Sequence, residues 1–589
     1  MSLFRAKPAV SGFHAGEDLQ ARAAVRLDGV RARALETGRA RLVAAGVVFL
    51  AAFGVIAVRM VDVAVIDRNP AKSRPLPQAR TEGLEMERAD VTDRNGQLLA
   101  TSLPTVSLYA KAYEVPNPKE AADKLLTVLP ELDRSEVETR LGSGRQFVYL
   151  RRNLTPRQQY DVNALGIPGL YFEKGERRVY PHGNLAAHIV GMTDVDNKGI
   201  AGIERRFDAA LRSSHQPLRL SVDIRVQTVV RNELARAVEE FSAVGGTGMV
   251  MDVRSGELLA MVSLPDFDPN DPPDTTDQAM FNRATKGAYE MGSTFKLFNT
   301  AMALDTGRIN LNSSFDATHP LKVGGHEIHD DHALNRWLTV PEILVHSSNI
   351  GSARMALEAG TEAQRSFMAK AGLLHTPSIE LPEVGGPLAP NPWREINTIT
   401  ISFGHGLSVT PLQLVTGVSA LVNGGEFHPA TLIARADDQP APGERIMKKR
   451  TSEQLRQLMR LVVTDGTGKK ADVPGYEVGG KTGTAEKAVN GSYRKKAVLS
   501  SFIAAFPIDD PRYAVLMMID EPQATKETHG FITAGWTAAP AAARVIAQVA
   551  PLMGLLPRAG APVAAPAPAP AAGGKGISGS GGREVAAVE

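Results

Sequence analysis

Gly292-Ser293-Thr294-Phe295-Lys296 opens a run of good helix formers, Leu297 to Leu304, that is apolar at nearly every position and is closed by Gly307. With Phe295, Phe298, Ala301 and Met302 all apolar, the run reads as a helix buried on most sides that begins just after Gly292. Ser293 then falls in the first turn, where backbone NH groups lack partners and the helix dipole favours developing negative charge. Lys296, three residues on, shares the same face and brings its amine within reach of the Ser293 oxygen. A hydroxyl becomes a nucleophile only when something takes its proton. A lysine desolvated among apolar side chains can have its pKa lowered enough to do so.

A Ser-x-x-Lys pair also arises by chance in a chain of this length, and a second stands at Ser492-Tyr493-Arg494-Lys495. That copy sits in a polar, glycine-flanked stretch with no buried helix after it and reads as a solvated hairpin tip. Two further elements distinguish the first. Ser347-Ser348-Asn349 begins 54 residues beyond Ser293, and Lys481-Thr482-Gly483-Thr484 begins 134 residues beyond Ser347. The conjunction of all three, in order and at domain-scale spacing, is far more specific than any one.

The chain has 589 residues, 43% of them hydrophobic, which is enough for several domains with real cores. A net charge of +2 argues against a dedicated nucleic-acid binder, and the lack of cysteine excludes disulfides, thiolate metal sites and a cysteine nucleophile. Residues 1–41 read as a cytoplasmic tail. Leu42 to Val58 is uncharged and apolar, and with Met60, Val61 and Val63 to Ile66 it makes a candidate transmembrane helix over 42–66, Arg59 and Asp62 lying at the interface. A cleaved signal peptide fits less well, because the run begins some forty residues in and no small-x-small site follows; a buried soluble helix is the plain alternative. Arginines flank the run on both sides, so the positive-inside bias is slight.

Residues 67–220 read as a mixed, non-catalytic region. Val91 to Ala100 predicts two strands around an Asn95-Gly96 turn, and Lys119 to Leu129 and Pro156 to Leu165 have helical periodicity. Over 221–555 the pattern changes. Ile224 to Phe241 predicts an amphipathic helix, Thr247 to Val253 and Glu257 to Ser263 one strand pair, and Leu499 to Phe506 and Tyr513 to Ile519 another. With the strand carrying Lys481 these make an antiparallel sheet flanked by helices, of class α+β. Residues 556–589, with an Ala-Pro tract from Ala561 to Ala572, read as a disordered tail.

Ser-x-x-Lys, Ser-x-Asn and Lys-Thr-Gly in this order resemble the serine β-lactamase and penicillin-binding transpeptidase pattern. The span and the long region before the motifs resemble the class B penicillin-binding proteins, which place an anchor and a pedestal before the transpeptidase domain. Arg88-Ala89-Asp90-Val91-Thr92-Asp93-Arg94-Asn95-Gly96 is similar to their first pedestal signature, with Ala89 where glycine is usual. Arg178-Val179-Tyr180-Pro181 through Gly191, with Gly202-Ile203-Glu204, is similar to the second. Tyr289 to Lys296, Ser347 to Gly351 and Gly404 to Gln413 resemble the cell-division members, with Met291 where proline is usual.

The resemblance covers about residues 40–550 and implies a peptidoglycan D,D-transpeptidase of the division septum. It implies that Ser293 attacks a terminal D-alanyl-D-alanine and becomes the acyl-enzyme, with Lys296 as base. Ser347 would relay a proton to the leaving amine, and Asn349 would hold Lys296 and the substrate amide. Lys481 would supply positive charge, Thr482 and Thr484 would bind the terminal carboxylate beside Gly483, and the NH groups of Ser293 and Thr484 would form the oxyanion hole. It also implies inhibition by β-lactams, no cofactor, one inner-membrane span with a periplasmic catalytic domain, and a membrane glycan polymerase and other divisome proteins as partners.

An elongation-type transpeptidase shares these features. A penicillin hydrolase is disfavoured by the pedestal and span, and a β-lactam sensor by the short segment before the span. His326, His329 and His332 lack the i, i+4 spacing of a helical zinc site and read as loop residues. His405, between two glycines, reads as a turn residue.

Overall fold

The computed structural model describes residues 43–44, 46–57, 88–436, 439–489 and 492–558. Contacts divide the chain into two units, Met1–Leu84 and Glu85–Glu589. In the first, residues 43–44 and 46–57 are helical, and Phe49, Leu50, Phe53 and Ile56 are exposed. Among the described residues no helix is long and apolar enough to cross a membrane. The transmembrane helix expected over 42–66 is therefore not shown. The helical run over 46–57 extends about 18 Å at 1.5 Å per residue, against about 30 Å of bilayer hydrocarbon. Residues 42, 45 and 58–66 of the expected span lie outside the described residues.

In the second unit the predicted Asn-Gly turn joins β1 (Val91–Thr92) to β2 (Leu98–Ala110). Asp93 Oδ1 shapes it by accepting from Asn95 N at 2.7 Å and Gln97 N at 2.9 Å. The second strand was expected to end at Ala100. It runs ten residues further because it pairs from Thr101↔Val179 to Ala110↔Leu170 with β4 (Leu170–Val179), its other edge taking β3 (Val148–Leu154). Helices α1 (Pro118–Val128), α2 (Arg134–Leu141) and α3 (Pro156–Ala164) start at the side-chain caps Asn117, Asp133 and Thr155. They bury Leu125, Leu141 and Val162 against Leu108, Ala110 and Leu150, a core separate from the rest.

The two segments with pedestal-like signatures meet in a buried ion cluster. Glu204, fully buried, accepts from Arg88 Nε at 2.6 Å and from Arg178 Nε at 2.7 Å. Arg88 also donates to Asp208 Oδ1 at 2.7 Å, and Arg178 donates to the Ala89 carbonyl at 2.9 Å. Around residue 220 this region shares a core with the C-terminal part of the unit. The strand β5 (Leu218–Arg219) runs parallel to β1, and Val91, Ile203 and Leu220 belong to the same buried cluster as Met249 and Phe298.

Beyond it lie α4 (Ile224–Glu240), β6 (Gly245–Asp252), β7 (Leu258–Leu264), α5 (Lys296–Asp305), α6 (Asn349–Ala359), α7 (Pro411–Val422), β8 (Gly479–Val489), β9 (Ser492–Phe506), β10 (Tyr513–Asp520) and α8 (Ala538–Leu552). Among the described residues the strands form an antiparallel sheet in the order β8-β9-β10-β6-β7. Helices cover both faces, which is why its central strands are apolar at successive positions instead of alternating. Val250, Val262 and Val515 pack on one face against Val230 of α4 and Val545 of α8. Met249, Met251 and Leu516 pack on the other with Phe298 of α5 and Val415 of α7. At the far end Arg558 pairs with Glu477 at 2.6 Å and with Asp509. Residues 559–589 of the expected tail lie outside the described residues.

Candidate active site

The helix expected to begin just after Gly292 starts as a 3-10 turn, Gly292–Phe295, and becomes α-helical only at Lys296. The tighter turn matters, because at three residues per turn side chains at i and i+3 eclipse. It places Lys296 Nζ 3.0 Å from Ser293 Oγ. Ser293 is half-buried and Lys296 is fully buried.

Three backbone segments converge at this turn. Gly292 (φ +53°) has no room for a side chain, since a Cβ there would lie 2.6 Å from the Thr484 carbonyl oxygen. Across from it, a Cβ on Gly483 would lie 2.6 Å from the Met291 oxygen and 2.7 Å from Thr294 Cγ2. Gly292 N donates to the Gly404 carbonyl at 3.2 Å. Glycine before the serine and within Lys-Thr-Gly thus lets edge strand β8 pass directly over the turn.

Ser347 and Asn349 come from the entry to α6. Ser348 caps that helix, its Oγ accepting from Gly351 N at 2.9 Å, and Ser347 before it is held at φ +58°. Lys296 Nζ donates to the Ser347 carbonyl at 2.7 Å and to Asn349 Oδ1 at 2.7 Å. The Ser347 hydroxyl lies between two amines, 3.1 Å from Lys296 Nζ and 3.0 Å from Lys481 Nζ. Lys481 is fully buried and also donates to the Thr482 carbonyl at 3.2 Å, while Thr482 Oγ1 lies 2.7 Å from Thr467 Oγ1. Thr484 Oγ1 accepts from Ala534 N at 3.2 Å.

Burial pushes the Lys296 amine down to about 7, opposed by the charges of Asp331 and Asp330. Burial, and then the neighbouring Lys296, holds Lys481 well below the ordinary lysine range. A neutral lysine has two N–H donors and one lone pair. At Lys296 two carbonyl oxygens, which can only accept, take the two donors. The lone pair is left for one hydroxyl at a time, Ser293 Oγ at 3.0 Å or Ser347 Oγ at 3.1 Å, the arrangement a general base requires.

Comparison with known proteins places the chain in a family. A family model described as "Penicillin binding protein transpeptidase domain" matches residues 246–541, and one described as "Penicillin-binding Protein dimerisation domain" matches residues 84–236. The chain is 42% identical to the probable peptidoglycan D,D-transpeptidase FtsI of Caulobacter vibrioides, over 80% of this chain and 82% of that one. It belongs to the penicillin-binding protein transpeptidase family. It is also 31% identical to the peptidoglycan D,D-transpeptidase FtsI of Escherichia coli K12, over 79% and 84% of the two chains. The apo transpeptidase domain of Burkholderia pseudomallei penicillin-binding protein 3 aligns with a TM-score of 0.52 at 32% identity, covering 57% of this chain and 97% of that one.

In this penicillin-binding transpeptidase the backbone of the second Ser-x-x-Lys pair lies in β9. Ser492 opens β9 and pairs with Val489, and its side chain lies outside the described residues. His405 packs near Phe403, ring centroids 5.6 Å apart, and burial lowers its pKa. Sequence reading passed over Asp330, which accepts from Asn349 N at 2.6 Å. The signal available was an acidic pair within the histidine-rich loop.

Proposed function

We infer that this protein is a serine-type peptidoglycan D,D-transpeptidase that cross-links cell-wall stem peptides at the division septum and is inhibited covalently by β-lactams. The observation that carries the chemistry is the Lys296 amine, buried, held by two carbonyls and 3.0 Å from Ser293 Oγ. Ser293 attacks the carbonyl between the two terminal D-alanines while Lys296 takes its proton. NH groups of Ser293 and Thr484 receive the oxyanion where the Gly292 turn and β8 cross. Ser347, in reach of both lysines, passes a proton to the departing D-alanine nitrogen. Asn349 holds Lys296 and the substrate amide. Lys481, Thr482 and Thr484 bind the terminal carboxylate, whose arrival opposes the desolvation that otherwise discharges Lys481. The septal role is supported by the FtsI relatives.

Lys296 acts as base only when neutral, so its lowered pKa sets the pH response. Acylation of Ser293 by penicillin is expected to rise about tenfold per pH unit below about 7 and to level off above it. Stopped-flow rates from pH 5.5 to 9 test this, and a rate that falls between pH 6 and 8 contradicts it.

A transpeptidase waits for an amine, whereas a hydrolase must hold a water and a base against the same ester. Two carboxylates that follow the Ser347 region in sequence have other partners. Glu380 accepts from Thr431 Oγ1 and Leu432 N at 2.8 Å, and Glu383 accepts from Gly202 N at 3.3 Å. The penicilloyl adduct is therefore expected to last from many minutes to hours by intact-protein mass spectrometry, and to decay unchanged in Glu380→Gln and Glu383→Gln. Free enzyme restored within seconds, with hydrolysed penicillin accumulating, favours the hydrolase.

The exposed apolar helical run over 46–57 supports anchoring in the inner membrane, with the N-terminus cytoplasmic and the catalytic domain periplasmic, where stem peptides lie. A membrane glycan polymerase and other divisome proteins are the neighbours this placement fits. Protease added to osmotically opened cells should degrade the chain beyond about residue 70 and spare the N-terminal segment, as the proposed span requires. Protection of the catalytic domain reverses the orientation.

A further inference from the structure

The stretch His326 to His332 draws attention in sequence for its histidines, yet its carboxylates are what the fold puts to use. Strands Leu321–Val323 and His326–Ile328 pair as a short hairpin, and the chain leaving it reaches the start of α6. There Asp330 Oδ1 accepts from Asn349 N at 2.6 Å and Ile350 N at 2.9 Å, and Oδ2 accepts from Ser348 Oγ at 2.7 Å. The adjacent His329 carbonyl accepts from Asn349 Nδ2 at 3.0 Å, which turns Asn349 Oδ1 towards Lys296. One carboxylate thus binds three consecutive residues of the helix start. Ser347, immediately before them, is held in the left-handed region that side chains other than glycine rarely adopt.

We propose that Asp330 is a positioning residue for the acyl-transfer site, clamping Ser348 to Ile350 so that the Ser347 hydroxyl and the Asn349 amide oxygen stay in place around Lys296. An ordinary helix cap would stabilise α6 and do nothing more. Asp330 differs because the residues it binds adjoin or include the groups that touch the amine, and because its charge bears on that amine. The titratable groups facing Lys296 are Asp331 and Asp330 from the hairpin, Lys481 from β8 and His405 from the loop before α7. Both aspartates favour the protonated amine, so neutralising Asp330 makes Lys296 easier to deprotonate.

The inference rests on the reading of Ser293 as the acylated residue. The test measures second-order acylation by labelled penicillin from pH 5.5 to 9 on the full-length protein, wild type, Asp330→Asn and Asp330→Ala, with thermal melting in parallel. At pH 8.5 Asp330→Ala is expected to lose at least about tenfold, the scale of a displaced catalytic group. Asp330→Asn, whose amide oxygen still accepts from both NH groups, should recover most of that loss. Its rising limb should also move to lower pH by about half a unit, since the charge is gone. If Asp330→Ala fails to fold, the displaced limb of Asp330→Asn decides alone. Equal losses in both variants with the wild-type pH midpoint reduce Asp330 to a helix cap and overturn the proposal, as does an Asp330→Ala protein that acylates like wild type. A wild type that takes no label at Ser293 overturns both this inference and the function it rests on, whereas a labelled wild type with unaltered variants overturns only this one.

Discussion

Ser293→Ala is expected to yield a folded protein that takes up no covalent penicillin label, while Ser492→Ala labels nearly as the wild type does. The first expectation follows from chemistry. Without Oγ of Ser293 the turn carries no atom to form the ester. The fold should survive, because Ser293 is half-buried and a small-to-smaller change there costs about 1 kcal/mol or less. The second follows from position. Ser492 opens β9 opposite Val489, beyond the register Lys481↔Ile503 to Thr484↔Ser500 in which the Lys-Thr-Gly residues pair. Label retained in Ser293→Ala and lost in Ser492→Ala would overturn the assignment.

Glu204→Ala is expected to destabilise the protein by about 3–5 kcal/mol, the cost of breaking a buried ion pair from one side. Arg88 and Arg178 side chains are only 2% and 1% exposed, and both guanidinium groups direct Nε at the Glu204 carboxylate, which is itself fully buried. Removing the carboxylate leaves two desolvated positive charges facing one another. Asp208 pairs with Arg88 but is not among the partners of Arg178. Urea unfolding followed by fluorescence reads the difference, and a loss under about 1 kcal/mol would mean that water or neighbouring carbonyls replace Glu204. Penicillin labelling of the folded fraction should persist, because no residue of this cluster contacts Ser293 or Lys296.

The elements of this chain were legible in its sequence wherever periodicity is local. The helices over 118–128, 156–164 and 224–240 and the hairpin partners of the central sheet fall within a few residues of expectation, because apolar spacing and capping residues act on neighbours in the chain, while β9 begins at Ser492, seven residues before the expected Leu499. Strand β2 was read ten residues short, because its length is set by the partner β4, some seventy residues later. The candidate transmembrane helix is the case in which composition promised more than the described helix spans.

The site divides in the same way. Ser293 and Lys296 share a turn, so their closeness follows from spacing while the 3-10 geometry fixes the contact, and the family resemblance carried by the three motifs nominated Ser347, Asn349, Lys481 and Thr484. Only tertiary structure could decide that one hydroxyl would lie between two amines, that Gly292 and Gly483 would let a strand cross the nucleophile's turn, and that Glu204 would join Arg88 and Arg178. It also decided the chemistry of Lys296. A pKa near 7 comes from desolvation, and desolvation is a property of what surrounds a group in space, which for Lys296 includes Ser347 and Asn349, 51 and 53 residues away in the chain.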